Sequence, residues 1–168
     1  MARDVTELRK LTVELEHLAT HDALTGLPNR RLFEAETDRA AIFAKRGTVS
    51  TILFTDVDQF KLCNDVLGHA VGDQVLHEIA QGMKNVVRET DTVARIGGDE
   101  FGVVLWGQTG DAVAEISQRL SEAVTAIGLK YGCDIGLSIG SAVLTAGTDA
   151  SSVLAEADRR MYEAKASD

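Results

Sequence analysis

Proline occurs once in this chain, at position 28, so almost nothing interrupts regular structure by removing a backbone donor. Positive charge is also scarce. Seventeen Lys and Arg stand against 26 Asp and Glu, leaving a net charge of −9. A protein that holds a nucleic-acid backbone by electrostatics should be basic, so no nucleic-acid polymer is expected as a partner. An acidic protein still accommodates a phosphate ligand if a divalent cation accompanies it. Cysteine appears twice, at Cys63 and Cys133, far apart and in no metal-ligand spacing. The two read as reduced thiols of a cytoplasmic protein. No apolar run is long enough to span a bilayer and no signal peptide is visible, so no membrane segment is expected. Low-complexity segments and repeats are absent as well.

What remains is a chain of 168 residues with 45% hydrophobic content, enough for one ordered domain with a sizeable core. Its most informative stretch is Thr92–Trp106. Two apolar, β-prone runs, Thr92–Ile96 and Phe101–Trp106, flank Gly97-Gly98-Asp99-Glu100. This predicts a β-hairpin whose glycines take positive φ angles in a tight reversal. Adjacent carboxylates at a hairpin tip are often merely solvated. A second acidic strand end changes the balance. Thr48–Val57 reads as a strand buried on both faces and runs into Asp56-Val57-Asp58. Charges there are costly unless paired or in a cleft, although Asp58 has the simpler alternative of capping the next helix.

Helical periodicity covers most of the rest. Asp4–Thr20 carries Val5, Leu8, Leu11, Leu15 and Leu18 on one stripe, which packs either on the domain or on a second chain as the end of a coiled-coil stalk. Gly26 and Pro28 punctuate a turn, and a second helix is expected from about Asn29 to Lys45 with Leu32, Phe33, Ala40, Ile42 and Phe43 facing the core. After Gly68, helix resumes through Val75, Leu76, Ile79, Met83 and Val86. His69, Asp73 and His77 share one of its faces, but zinc sites built from such ligands use tighter motifs. Asp111–Leu129 predicts an amphipathic helix, Ile135–Leu144 a strand and Ser151–Ala166 a last helix. The order implies an α+β fold with a βαββαβ core, a mostly antiparallel central sheet surrounded by helices.

Gly97-Gly98-Asp99-Glu100-Phe101 resembles the signature of the GGDEF family, the diguanylate cyclases. The likeness extends through Asp22–Arg30, Asp56–Lys61, Asn64-Asp65, Gly68-His69, Gly72-Asp73, Ser138–Gly140, Ala157-Asp158 and Tyr162–Lys165, and so covers about Asp22 to Lys165. It implies a palm-like fold related to nucleotidyl cyclases and the condensation of two GTP into cyclic di-GMP with release of two pyrophosphates. It further implies two magnesium or manganese ions per site, held by Asp56, the Val57 carbonyl, Asp99 and Glu100, with Asp99 as proton acceptor for the 3′-hydroxyl. By the same resemblance Asn64 and Asp73 read guanine. His69 sits near the ribose, Lys61 and Lys165 meet phosphates, and Phe60, Gly97 and Gly98 complete the GTP site. Strand alternation alone would pair Asp56 with Asp58, but the family pattern gives Asp58 no such duty. Arg88-Glu89-Thr90-Asp91 matches the family's Arg-x-x-Asp inhibitory site, with Arg119 as a second arm; otherwise it is a surface ion pair after a helix.

The resemblance divides the chain into an N-terminal helix or signalling stalk, 1–21, and a catalytic domain, 22–168. One domain binds one GTP while the product needs two, so a homodimer is expected. Two departures stand out. The sequence ends at Ala166-Ser167-Asp168, before the Gly-Arg-Asn stretch that members usually carry, and it holds no sensory domain. An active cyclase, a module that binds GTP or cyclic di-GMP as a receptor, and a vestigial dimerisation module are therefore the three readings. The intact Asp56, Asp99, Glu100, Asn64 and Asp73 favour the first.

Overall fold

The structure, a computed structural model, describes residues 2–167. The outer limits of the two segments named above, Met1 and Asp168, lie outside them. In chain order the elements are α1 (Ala2–Thr20), α2 (Arg30–Ala44), β1 (Ser50–Asp58), α3 (Phe60–Leu67), α4 (His69–Val86), β2 (Thr92–Arg95), β3 (Glu100–Leu105), α5 (Asp111–Tyr131), β4 (Gly136–Leu144) and α6 (Ala150–Lys165). The four strands form one sheet in the order β2-β3-β1-β4, with antiparallel neighbours throughout. This is the α+β, βαββαβ architecture the sequence predicts.

Strand β1 lies at the centre and is buried from Ser50 to Val57. Its alternate residues serve two cores. Leu53 and Val57 join Phe101, Val103 and Leu105 beneath α4 and α5, with Ile79, Met83, Leu120 and Val124. Ile52 and Phe54 join Val104, Ala142 and Leu144 beneath α2 and α6, with Phe33, Ala157 and Met161. On this second face Phe54 lies between Gly102 of β3 and Gly140 of β4. The missing side chains are filled from above. A Cβ on Gly102 would come within 2.6 Å of the Phe33 ring, and one on Gly140 within 2.1 Å of the Ala157 carbonyl oxygen and the Met161 nitrogen. The glycines thus let α2 and α6 sit directly on the sheet, where Phe33 meets Phe54 edge-on at 5.5 Å.

Several expectations need correction. Ile42 and Phe43 are exposed rather than core; α2 buries Phe33, Thr37, Ala40 and Ala44 instead. Phe43 packs edge-on against Trp106 at the rim, with the Arg39 guanidinium over both rings. Cys63 and Cys133 are joined in a disulfide, not free. The sheet explains this. Asp58 at the end of β1 pairs with Gly136 at the start of β4, so residues just beyond the one and just before the other meet. Asp58 does not cap α3; Gln59 holds the N-cap position without a side-chain bond. The Asp58 carboxylate instead accepts from the Ser138 hydroxyl at 2.7 Å. Finally, α1 does not pack its stripe on the domain. Leu8, Leu15 and Leu18 are 66%, 66% and 69% exposed. Near its end the helix is tied down by the Asn29 side chain and backbone N–H, which donate to the Ala19 and Thr20 carbonyls.

Candidate active site

The site grows from the β1–β3 register. Asp56 is paired with Glu100, so two carboxylates face each other across adjacent strands, on the side covered by α6. Directly opposed like charges destabilise a sheet unless a cation serves them. Asp56 is buried, and Lys165 from the last turn of α6 reaches it with Nζ 2.6 Å from Oδ1. Lys165 is half-exposed, and its bond to Asp56 holds its ammonium pKa above the ordinary value despite partial burial.

Asp99 joins this group through the backbone: the Val57 N–H donates to the Asp99 carbonyl at 2.9 Å, stitching the end of β1 to the hairpin tip. The Ile96 and Gly97 N–H groups both donate to the Glu100 carbonyl and close the reversal. Neither Gly97 nor Gly98 has a positive φ. A Cβ on Gly97 would stand 2.9 Å from a Glu100 carboxylate oxygen, the movable end of a side chain. Gly98 meets nothing. Its carbonyl accepts two bonds from the Arg95 guanidinium, which also forks onto Asp22 at 3.1 and 3.2 Å. Burial opposes ionisation of Asp22, but the Thr25 hydroxyl and N–H together with Arg95 outweigh it and keep its carboxyl pKa below the usual range. Arg95 thus links the segment after α1 to the tip. Sequence reasoning assigned it no role, because the pairing spans 73 residues.

Burial, then the charge of Asp56, raises the pKa of Asp99; burial, then Asp56, Asp99 and Asp158, raises that of Glu100. Asp158 of α6 is a second group whose role was not read from sequence. Each carboxyl binds its proton more tightly folded than unfolded, so this contribution to stability is complete below the ordinary values of 3.8 and 4.5 and is lost as pH rises through the raised ones. Glu100→Gln should therefore melt above wild type at about pH 7.5 and together with it at about pH 4. A variant melting below wild type at both would contradict the repulsive cluster.

The donor chemistry suits a hard divalent cation: carboxylates that resist ionisation because they are partly buried and stand close to one another's charge. Among the described residues no group of three Asp, Glu, His or Cys side chains is arranged as a metal site. Magnesium typically takes one or two carboxylates and completes its shell with substrate phosphates, which accords with this set.

The residues expected to read the base lie on α3 and α4. Asn64 packs its amide against Gly72, and its buried Oδ1 has no hydrogen-bond partner among the described residues. A Cβ on Gly72 would fall 1.6 Å from that oxygen. Phe60 is buried, whereas Lys61, His69 and Asp73 are exposed. Gly72→Ala should push Asn64 aside, since the obstructed atom ends a movable side chain. We expect GTP affinity to fall roughly tenfold, as for one lost buried hydrogen bond, with little change in melting temperature; unchanged affinity would exclude Asn64 from the site.

The Arg88–Asp91 segment has its own structure. Asp91 Oδ2 accepts from the Arg88 N–H and the Gln108 amide, and Oδ1 from the Trp106 N–H, all at 3.0 Å. Asp91 therefore organises the entry to β2, while the Arg88 side chain is exposed. Arg88, Lys84 and Asn85 line a cavity of about 670 Å³ that none of the site carboxylates lines. Arg119 lies exposed on α5 and does not line it.

A β2-β3-β1-β4 antiparallel sheet with carboxylates at neighbouring ends of β1 and β3 defines a palm-like protein. The sequence model for the diguanylate cyclase GGDEF domain matches residues 19–168, and the chain belongs to the GGDEF family. It is 40% identical over 164 residues to the diguanylate cyclase TpbB of Pseudomonas aeruginosa, covering 94% of this chain and 38% of that protein. It is also 34% identical over 171 residues to the cyclic di-GMP phosphodiesterase PdeB of Shewanella oneidensis, covering 98% of this chain and 19% of that one. The coiled coil and GGDEF domain of DgcB from Caulobacter crescentus, solved in complex with c-di-GMP, superposes with a TM-score of 0.90 at 30% identity, covering 99% of this chain and 91% of that. The chain thus spans well under half the length of these two curated relatives. Among the described residues no helix is long and apolar enough to cross a membrane.

Proposed function

We propose that this protein is a diguanylate cyclase that condenses two GTP into cyclic di-GMP and releases two pyrophosphates. The observation that carries the reading is the opposition of Asp56 and Glu100, with Asp99 tied to β1 beside them. Asp56, Asp99, Glu100 and the Val57 carbonyl would hold two magnesium or manganese ions, which supply Lewis-acid activation of the hydroxyl and charge neutralisation of the triphosphate. Asp99 accepts the 3′-hydroxyl proton, a task its raised pKa suits by bringing a carboxylate nearer the working pH. The open Gly97-Gly98 tip admits the phosphates, and Lys61 and Lys165 supply positive charge to them. Asn64 and Asp73 present an amide and a carboxylate to guanine, and adenine leaves them unsatisfied. Phe60 and His69 flank base and ribose. Pyrophosphate release with magnesium and GTP, and not with ATP, tests this; equal release from both would refute the base assignment.

The bare α1 stripe and the need for two substrates imply a homodimer, with α1 as the stalk and the domain beginning near Asp22. The match to PdeB leaves a second reading, a GGDEF module that binds GTP or cyclic di-GMP without turnover, but the retained Asp56, Asp99 and Glu100 favour the enzyme. Product returns to the cavity beside Arg88, where an arginine forks onto phosphate or guanine. Asp91 shapes that site, and Arg119, away from the cavity in one chain, would serve from another. Arg88→Ala should raise the inhibition constant for cyclic di-GMP by about tenfold or more, the worth of a charge-assisted hydrogen bond, without altering GTP turnover. Identical inhibition of both proteins would remove Arg88 from the site.

A further inference from the structure

Helix α3 carries Asn64, one of the two residues proposed to read the base, yet little holds the helix in place. It has eight residues and buries only Phe60 and Cys63. Its N-cap residue, Gln59, adopts a left-handed conformation (φ 59°), is the only non-glycine among the described residues to do so, and offers no capping bond. Leu62 and Val66 face outward. The covalent tie is the Cys63–Cys133 bond, which fastens α3 to the segment linking α5 to β4. Cys63 adjoins Asn64 in sequence. A surface cavity of about 230 Å³ is lined by both cysteines, together with Leu62, Val66, Gly132 and Asp134. It leaves room for a small thiol or disulfide to approach sulfurs that are otherwise buried.

We propose that Cys63 and Cys133 form a reversible redox switch, in which oxidation clamps α3 to the end of α5 and reduction frees it, weakening the hold of Asn64 on its ligand. The oxidant is a low-molecular-weight disulfide. A Cys thiolate attacks it, expels one small thiolate and forms a mixed disulfide; the second Cys thiolate attacks the protein sulfur and expels the other. Two protons and two electrons leave the protein, and two small thiols carry them away. An excess of the small thiol runs the exchange backwards. The link to Asn64 rests on the base-reading role proposed above; the clamp on α3 does not.

The full chain is equilibrated in buffers of varied reduced-to-oxidised glutathione ratio. Free thiols are counted by alkylation and mass, backbone hydrogen exchange is followed over residues 59–68, and GTP affinity is titrated with magnesium. The Cys63→Ala/Cys133→Ala chain is the redox-inert control. The expected result is a reversible loss of two thiols, faster exchange across α3 in the reduced form, and GTP affinity at least about fivefold weaker on reduction, within the ordinary range of coupling between sites, with the control insensitive to the buffer. Thiols that stay alkylatable under oxidising conditions, or α3 exchange equal in both states, would overturn the switch. Slower exchange on oxidation with no GTP binding in either state supports the clamp and instead refutes the base-reading role.

Discussion

Asp99→Asn is expected to reduce cyclic di-GMP synthesis by about 10³-fold or more while leaving the fold intact. On the roles proposed for Asp99, the variant removes a metal-ligating oxygen and the proton acceptor together, and acid–base catalysis alone is worth roughly 10²–10⁴. The structure adds a condition that separates this from damage. Burial and the Asp56 charge already disfavour the ionised Asp99 carboxyl, so an isosteric amide relieves repulsion at neutral pH. The Asn variant should melt at or above the wild-type temperature. The Val57 N–H bond to the residue 99 carbonyl is a backbone contact and survives. Near wild-type synthesis by a folded Asp99→Asn protein would remove Asp99 from the chemistry; lost synthesis with a lowered melting temperature would assign it a structural part instead.

Gly140→Ala is expected to be the most destabilising small substitution in the sheet. The new methyl would meet the backbone of α6, the Ala157 carbonyl and the Met161 N–H, at 2.1 Å. Backbone cannot rotate away as a side chain can, so α6 must shift. Overpacking costs about 1–3 kcal/mol and occasionally more; with two backbone atoms obstructed, about 3 kcal/mol is expected. For a domain of this size that lowers the melting temperature by roughly 6–12 °C. Activity should fall as well, because α6 holds Lys165 against Asp56 and brings Asp158 near Glu100. Gly98→Ala is the control, since nothing lies within 4 Å and φ is not positive. Equal melting of Gly140→Ala and Gly98→Ala would contradict the packing of α6.

These two sites differ in how far sequence reveals them. Asp99 lies in a contiguous signature, and the alternation in β1 places Asp56 on a defined face. Helix and strand existence was equally legible, because hydrophobic period is a local property: α5 was expected over Asp111–Leu129 and runs to Tyr131. Long-range pairings were not legible. The Cys63–Cys133 bond closes a 70-residue separation, and its spacing resembles no framework. The Asp22–Arg95 fork depends on the loop after α1 folding back over the hairpin tip. Gly97 and Gly98 were expected to supply positive φ, the commonest reason for glycine in a tight turn. Neither adopts one, which only the three-dimensional tip can show. Ile42 lies two positions from both Ala40 and Ala44, on the far side of the helix from the buried stripe of Phe33, Thr37, Ala40 and Ala44, and Phe43 sits to one side of that stripe.

The proposed cyclase activity is tested most directly by product analysis. The protein is incubated with GTP and magnesium across a range of protein concentrations, and the nucleotides are separated and quantified. The expected result is cyclic di-GMP with two pyrophosphates per molecule formed, no product when magnesium is chelated, and a rate per chain that rises with protein concentration as two domains meet. Binding of GTP with no cyclic di-GMP at any concentration, magnesium present, would contradict the cyclase reading and leave a nucleotide-binding GGDEF module in its place.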